Sequence, residues 1–358
     1  MNVYIRTDAS IQIGSGHIMR CLTLAKQLKA EGMQVTFICR NVEGHMIDYI
    51  CNQGFNVQEL PKIFNNNVWG WTKENWSQDA SETSQIINDN LADLLIVDHY
   101  SLDKKWEGKL RNHTKKLMVI DDLANRVHDC DVLLDQNYYK NFQGRYKNLV
   151  PENCILCLGP NYLLLRDEFW NIKISKFQKG NQRIFVFFGS VDATNETEKA
   201  LIALQKLSKK YHFSIDVVVG DNNKNKILIE DFCKEINNCH YYCQINNMAE
   251  LMSKATFSLG AGGTITWERA FLNLPSLVIS VADNQDEIAQ ALNDEHAIMF
   301  LGKSSYSNEE DIYNAVEKVL KDDSILKELS MNMKKIINKN VVEQKPLLSI
   351  LRNLKKEG

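Results

Sequence analysis

At 358 residues and a formal net charge of −3, the chain is long enough for two cores, and it has no basic excess pointing to nucleic acid or an anionic membrane as partner. Its hydrophobic content of 44% is ordinary for a globular protein, and no apolar run is long enough to span a bilayer. Met1-Asn2-Val3-Tyr4-Ile5-Arg6 opens directly on a strand-like run without a signal-peptide pattern, and the nine cysteines are scattered, so reduced thiols and a cytoplasmic location are expected.

Val3–Arg6 reads as the first strand and residues 17–31 as an amphipathic helix, with Ile18, Leu22, Leu24, Ala25 and Leu28 at helical spacing. Between them lies Gly14-Ser15-Gly16-His17. A glycine-rich loop from a strand end to a helix start suits an anion, because the first helical turn presents unpaired N–H groups. His17 is the residue there able to move a proton near neutral pH, although a histidine at a helix start can equally be a cap or a surface group.

Val35–Cys39 and Val57–Leu60 read as further strands. Residues 61–77 then break the alternation with Asn65-Asn66-Asn67 and three tryptophans, Trp69, Trp71 and Trp76. A long surface loop is expected here, either functional or an aromatic lid packed on the domain edge. A helix over 80–90 leads to Leu94–Val97, apolar on both faces as a buried parallel strand should be, and ending in Asp98-His99-Tyr100. Two further strands end in Asp121-Asp122 and Asp135-Gln136-Asn137. Three polar strand ends on one rim point to a ligand cleft, although Asp and Asn at strand ends also cap helices and make turns. Cys154 and Cys157 form the one Cys-x-x-Cys; with no second pair, buried thiols fit better than a metal or redox site.

The polar, basic stretch 171–182 reads as an interdomain linker. The succession then restarts: Ile184–Phe188 ends in Gly189-Ser190-Val191-Asp192, Ala255–Leu259 ends in Gly260-Ala261-Gly262-Gly263-Thr264, and a helix follows with Trp267 and Glu268. Backbone N–H groups of this second glycine loop could hold a diphosphate, and Glu268 could accept from ribose hydroxyls or simply be an acid favoured in a first helical turn. A dinucleotide fingerprint fails, since the first loop lacks a third glycine. The fold class expected is α/β, two Rossmann-like domains facing across a cleft. The first covers 1–170 and the second 183–340, with a C-terminal helix in 341–358 free to pack back on the first.

The chain resembles the UDP-sugar hydrolases of the pseudaminic acid pathway, which split UDP-2,4-diacetamido-2,4,6-trideoxy-β-L-altropyranose. The resemblance rests on Arg6–Ser10, Ile13–Arg20, Asp98–Tyr100, Gly159–Phe169, Phe188–Asn195, Gly260–Glu268 and Asn284-Gln285, with Ser190 where the family often has a second glycine. It implies a GT-B fold, His17 as catalytic base, and Tyr100 in a sugar site whose substrate-binding set is Gly14, Gly16, Arg20, Asp98, Tyr100, Asn284 and Gln285. It further implies that Gly189, Gly262, Gly263, Thr264 and Glu268 hold UDP. UDP leaves as an anion and needs little protonation, so water attack at C1 with inversion is expected, without a metal or cofactor. A UDP-sugar is the one partner expected; no protein partner, nucleic acid or membrane is implied. A GT-B sugar transferase, a hydrolysing UDP-sugar 2-epimerase and a nucleotide-sugar-binding module remain the alternatives.

Overall fold

The computed structural model describes residues 1–10, 13, 16–64, 67–87, 91–172 and 182–354. Gly14, Ser15 and residues 173–181 of the expected linker lie outside the described residues. The chain forms two compact units: Met1–Asn137 with Asn141–Leu164 and Asn340–Gly358, and Tyr138–Lys140 with Leu165–Lys339.

The first unit has strands β1 (Asn2–Thr7), β2 (Gln34–Arg40), β3 (Asn56–Leu60), β4 (Leu94–Asp98), β5 (Leu117–Ile120), β6 (Val132–Asp135) and β7 (Ile155–Leu158). Its helices are α1 (Gly16–Ala30), α2 (Ile47–Asn52), α3 (Val68–Glu74), α4 (Trp76–Ile87) and α5 (Lys104–Leu110). The strands order as β3-β2-β1-β4-β5-β6-β7, each pair parallel. β4 explains its own sequence: Leu94 and Ile96 enter one apolar core and Leu95 and Val97 the opposite one, so no residue of the strand can be polar until its carboxyl end. The strand order reverses between β1 and β4, and ligands bind at such a switch point, outside the strands' carboxyl ends. The pairing of Thr7 with Asp98 places the end of β4 there.

Residues 67–77 differ from the loop expected over 61–77, of which Asn65 and Asn66 lie outside the described residues. Asn67 Oδ1 accepts from Gly70 N at 2.9 Å and starts α3, and α4 follows directly. The buried positions of α3 are Val68 and Thr72, so a hydrophobic period does not reveal it, whereas α4 is the helix expected over 80–90 with an earlier start at Trp76. Long-range ion pairs anchor that start: Asp79 meets Arg6 at 2.8 Å, Arg40 at 2.7 Å and the indole N–H of Trp106 at 2.9 Å, all fully buried or nearly so.

The second unit has strands β8 (Gln182–Phe187), β9 (Phe213–Val219), β10 (Cys239–Cys243), β11 (Phe257–Ala261), β12 (Ser276–Ser280) and β13 (Met299–Lys303). Helices α6 (Glu196–Ser208), α7 (Lys226–Lys234), α8 (Met248–Lys254), α9 (Ile265–Phe271), α10 (Asp283–Asp294), α11 (Glu309–Lys321) and α12 (Asp323–Ile336) accompany them. The order β10-β9-β8-β11-β12-β13, again parallel, reverses between β8 and β11. Gly260 is required at that point: a Cβ there would lie 2.2 Å from the Phe187 carbonyl oxygen. After α13 (Lys339–Glu343), α14 (Pro346–Leu354) places Leu347, Leu348, Leu351 and Leu354 in the core of the first unit.

Candidate active site

In the first unit the site grows from one helical face. His17, Arg20 and Cys21 stand at i, i+3 and i+4 of α1, so all three reach the same neighbour, Asp98 at the end of β4. Asp98 is fully buried, and both its oxygens are taken. Oδ1 lies 2.6 Å from His17 Nδ1 and 2.6 Å from Arg20 Nη2; Oδ2 accepts from Arg20 Nε at 2.6 Å and from Cys21 Sγ at 3.3 Å. Burial acts to raise the Asp98 carboxyl, but Arg20 and then His17 outweigh it and hold it well below the usual carboxylate range. An ionised Asp98 only accepts, so His17 Nδ1 carries the proton between them. Arg20 Nη2 also lies 3.1 Å from Nδ1, and an Nδ1 that carries the proton does not accept from it. In that tautomer the lone pair is on Nε2, which forms no hydrogen bond among the described residues.

Arg20 continues to Asp122 at 2.8 Å, and the Tyr100 hydroxyl hydrogen-bonds Asp122. Burial, reinforced by Asp122, raises the Tyr100 hydroxyl above its ordinary range and keeps it protonated. The Tyr100 ring meets the His17 ring edge to face at 4.5 Å between centroids, and Trp69 of α3 meets it at 5.6 Å. A second carboxylate group lies behind Asp122. The Tyr146 hydroxyl is 3.1 Å from Asp121 Oδ2 and 3.1 Å from Asp135 Oδ2, and burial pushes the Asp135 carboxyl up to about 7, with Asp122 adding to the effect.

In the second unit, Gly189 and Gly263 adopt φ of +99° and +85°, values that favour glycine, at the loops following β8 and β11. Gly262 packs against Gln285, where a Cβ would lie 3.1 Å from the side chain, and Gln285 Oε1 accepts from Val281 N at 3.1 Å. Asn284 is exposed in the first turn of α10, and Thr264 is exposed just before α9. Asp192 caps α6, accepting from Glu196 N and Thr197 N at 2.9 Å each. Glu268 is held by a fork of hydrogen bonds from Arg166: Nε to Oε1 at 2.7 Å and Nη2 to Oε2 at 2.9 Å. Arg166 also meets Glu168 at 2.7 Å, and Glu168 accepts from Ala249 N at 2.9 Å. Behind the glycine loop, Arg269 is 2% exposed and donates to the Ala261 carbonyl at 2.6 Å, with no acidic partner in hydrogen-bond reach among the described residues. Burial lowers it to about 10, although Glu268 works the other way.

The structure thus brings His17, Arg20, Asp98 and Tyr100 into one cluster. Gly16 opens the helix that carries the first two, and Gly14 lies outside the described residues. Asp98 is the residue whose place differs most from a substrate-binding position: it lies beneath His17 and Arg20, shielded from solvent. Trp69 and Arg166 were not among the candidate site residues. Arg166 stands in the stretch Gly159–Phe169 that carries the resemblance, and Trp69 in the tryptophan-rich stretch 61–77, where the sequence does not separate it from Trp71 and Trp76. Among the described residues, no group of three or more His, Cys, Asp or Glu is placed to hold a metal ion, and no helix is long and apolar enough to cross a membrane.

The glycosyltransferase family 28 C-terminal domain matches residues 183–344. Over 291 residues the chain is 29% identical to the UDP-2,4-diacetamido-2,4,6-trideoxy-beta-L-altropyranose hydrolase of Campylobacter jejuni, covering 81% of this chain and 95% of that protein. It is 23% identical to a Finegoldia magna UDP-N-acetylglucosamine–N-acetylmuramyl-(pentapeptide) pyrophosphoryl-undecaprenol N-acetylglucosamine transferase, covering 90% of this chain and 91% of that one. In fold it is similar to Acinetobacter baumannii MurG, with a TM-score of 0.66 at 14% identity over 98% of this chain and 99% of that one. The chain therefore has the GT-B fold, its second half matches the family 28 C-terminal domain, and it is similar to a UDP-2,4-diacetamido-2,4,6-trideoxy-β-L-altropyranose hydrolase.

Proposed function

We propose that the protein hydrolyses UDP-2,4-diacetamido-2,4,6-trideoxy-β-L-altrose to UDP and the free sugar, a step of pseudaminic acid biosynthesis. The observation that carries the reading is the His17–Asp98 pair at the switch point of the first unit, in a chain whose hydrolase relative it matches along 95% of that relative's length. His17 Nε2 takes a proton from water as the water oxygen bonds to C1. The C1–O bond breaks, and its electron pair leaves on the β-phosphate of UDP. Asp98 accepts from Nδ1–H throughout, fixing the tautomer and stabilising the imidazolium that forms. In the second unit, Gly189 of the loop after β8 and Gly262, Gly263 and Thr264 of the loop after β11 hold the diphosphate, Gln285 and Asn284 border it, and Glu268 holds the ribose.

The carboxylates support inversion. Retention through a covalent glycosyl-carboxylate intermediate needs an accessible carboxylate beside C1. Asp98 is buried with both oxygens occupied, and Asp122 accepts from Arg20, so neither is offered to an anomeric carbon. The transferase relative favours a second reading, transfer of the sugar to an acceptor instead of water. Incubation with the pure UDP-sugar, followed by assay of free UDP, decides between them. Stoichiometric UDP and free sugar without an acceptor support hydrolysis. Release that requires an added acceptor overturns it.

A further inference from the structure

We propose that Trp69 is a sugar-recognition residue, forming with Tyr100 an aromatic wall beside His17 that takes the apolar groups of a deoxygenated, acetamido-substituted pyranose. The proposal rests on the hydrolase reading above and adds a residue to it.

The three tryptophans of residues 61–77 have different surroundings. Trp71 lies under the Arg40 guanidinium, 4.7 Å from the ring centroid, within the ion network that anchors α4. Trp76 packs on the core formed by Trp106, Leu110 and their neighbours. Trp69 is on neither structural face: Val68 and Thr72 are the buried residues of α3, while Trp69 is half-buried and turned toward His17. Its ring lies 5.2 Å from that of Tyr100, tilted by 30°, so the two pack against each other with an offset and form one aromatic group beside the base.

That wall is built on fixed parts. The Ser101 hydroxyl donates to the Trp69 carbonyl at 2.8 Å. Beneath the indole, the His99 ring stands edge to face at 4.6 Å. His99 is held at Nδ1, which accepts from Ser101 N at 3.1 Å, and its Nε2 lies 3.2 Å from Asp8 Oδ2. The aromatic pair is therefore preorganised, and a ligand loses little by ordering it. A methyl group against an indole face buries apolar surface on both sides, whereas a hydroxyl there loses water without gaining a partner. A sugar with a methyl at C6 and two acetamido methyls matches such a wall better than a fully hydroxylated hexose.

The test uses the full chain with Trp69→Leu and Trp69→Phe, measuring kcat and KM for the diacetamido-trideoxy UDP-sugar and the inhibition constant of UDP. Loss of the aromatic face in Trp69→Leu should raise KM about tenfold with kcat within about threefold, a loss of uniform sugar binding. Trp69→Phe should recover most of it. UDP inhibition should stay within about twofold, since UDP lacks the sugar, and this also shows that the variant is folded. An unchanged KM overturns the proposal. So does a fall in kcat at constant KM, which would make Trp69 a support for His17, or an equal loss of UDP affinity. A wild-type protein that releases no UDP from this sugar overturns the hydrolase reading, and the role of Trp69 with it.

Discussion

His17 Nδ1 lies 2.6 Å from Asp98 Oδ1, and the residues are 81 positions apart in the chain. This separation makes a specific prediction. Asp98→Asn removes the acceptor that fixes the ring, so kcat should fall by about 10²–10⁴, as for loss of the base in His17→Ala. UDP binding should persist in both variants. Because the two act as a unit, the double variant should be little slower than either single one. Steady-state kinetics with calorimetric UDP titration check this; full additivity would separate Asp98 from the mechanism.

Glu268 and Arg166 form the second pair. Glu268→Ala should weaken UDP and the UDP-sugar by the same factor, about tenfold, because the ribose is common to both. Arg166→Met should weaken UDP less, by leaving Glu268 unoriented, and should add nothing in the Glu268→Ala background. Calorimetric titration of the four proteins measures the coupling. Unchanged UDP affinity in Glu268→Ala would reduce that residue to an acid at a helix start.

The proposed attack of a His17-activated water at C1 makes predictions about the bond cleaved and the stereochemistry. Turnover in ¹⁸O-water should put label in the sugar and none in UDP, as expected for C1–O cleavage. NMR of the fresh product, before mutarotation, should show the inverted anomer. Label in UDP would move the attack to phosphorus and remove His17 from its assigned role.

The Asp135 carboxyl gives a dependence of stability on pH. Its folded-state pKa of about 7 lies above the ordinary value near 3.9, chiefly through burial. Between those values the folded state binds more protons than the unfolded one, so its contribution to stability falls as pH rises from about 4 to about 7. Asp135→Asn removes that slope. The variant should gain stability relative to wild type on going from pH 5 to pH 8, by the order of a few kcal/mol. Urea melts at the two pH values measure it, and a pH-independent difference would show that Asp135 does not titrate in this range.

Much of the fold was legible because parallel strands state their environment locally. Leu94–Val97 reads as buried on both faces because helices cover both sides of the sheet, and its polar end marks the rim. The spacing of His17 and Arg20 likewise requires only a helix to place both on one face. Residues 61–77 were not legible. The short helix α3 buries only Val68 and Thr72, and the start of α4 is fixed by Asp79, a polar residue stable at a buried position because Arg6, Arg40 and Trp106 meet it from afar.

The sequence by itself determined the two α/β successions, the glycine loops after their strands and the helical face that carries His17. These depend on short-range periodicity and on backbone conformations that few residues adopt. Only the tertiary structure decided which groups meet. Adjacency of β1 and β4 set Asp98 under His17, the ion network on Asp79 anchored the helices that carry Trp69 to the same site, and the fork of Arg166 closed on Glu268 across 102 positions. Hydrogen bonds and ring contacts of this kind depend on distances of a few ångströms between residues far apart in the chain, and chain topology supplies those distances.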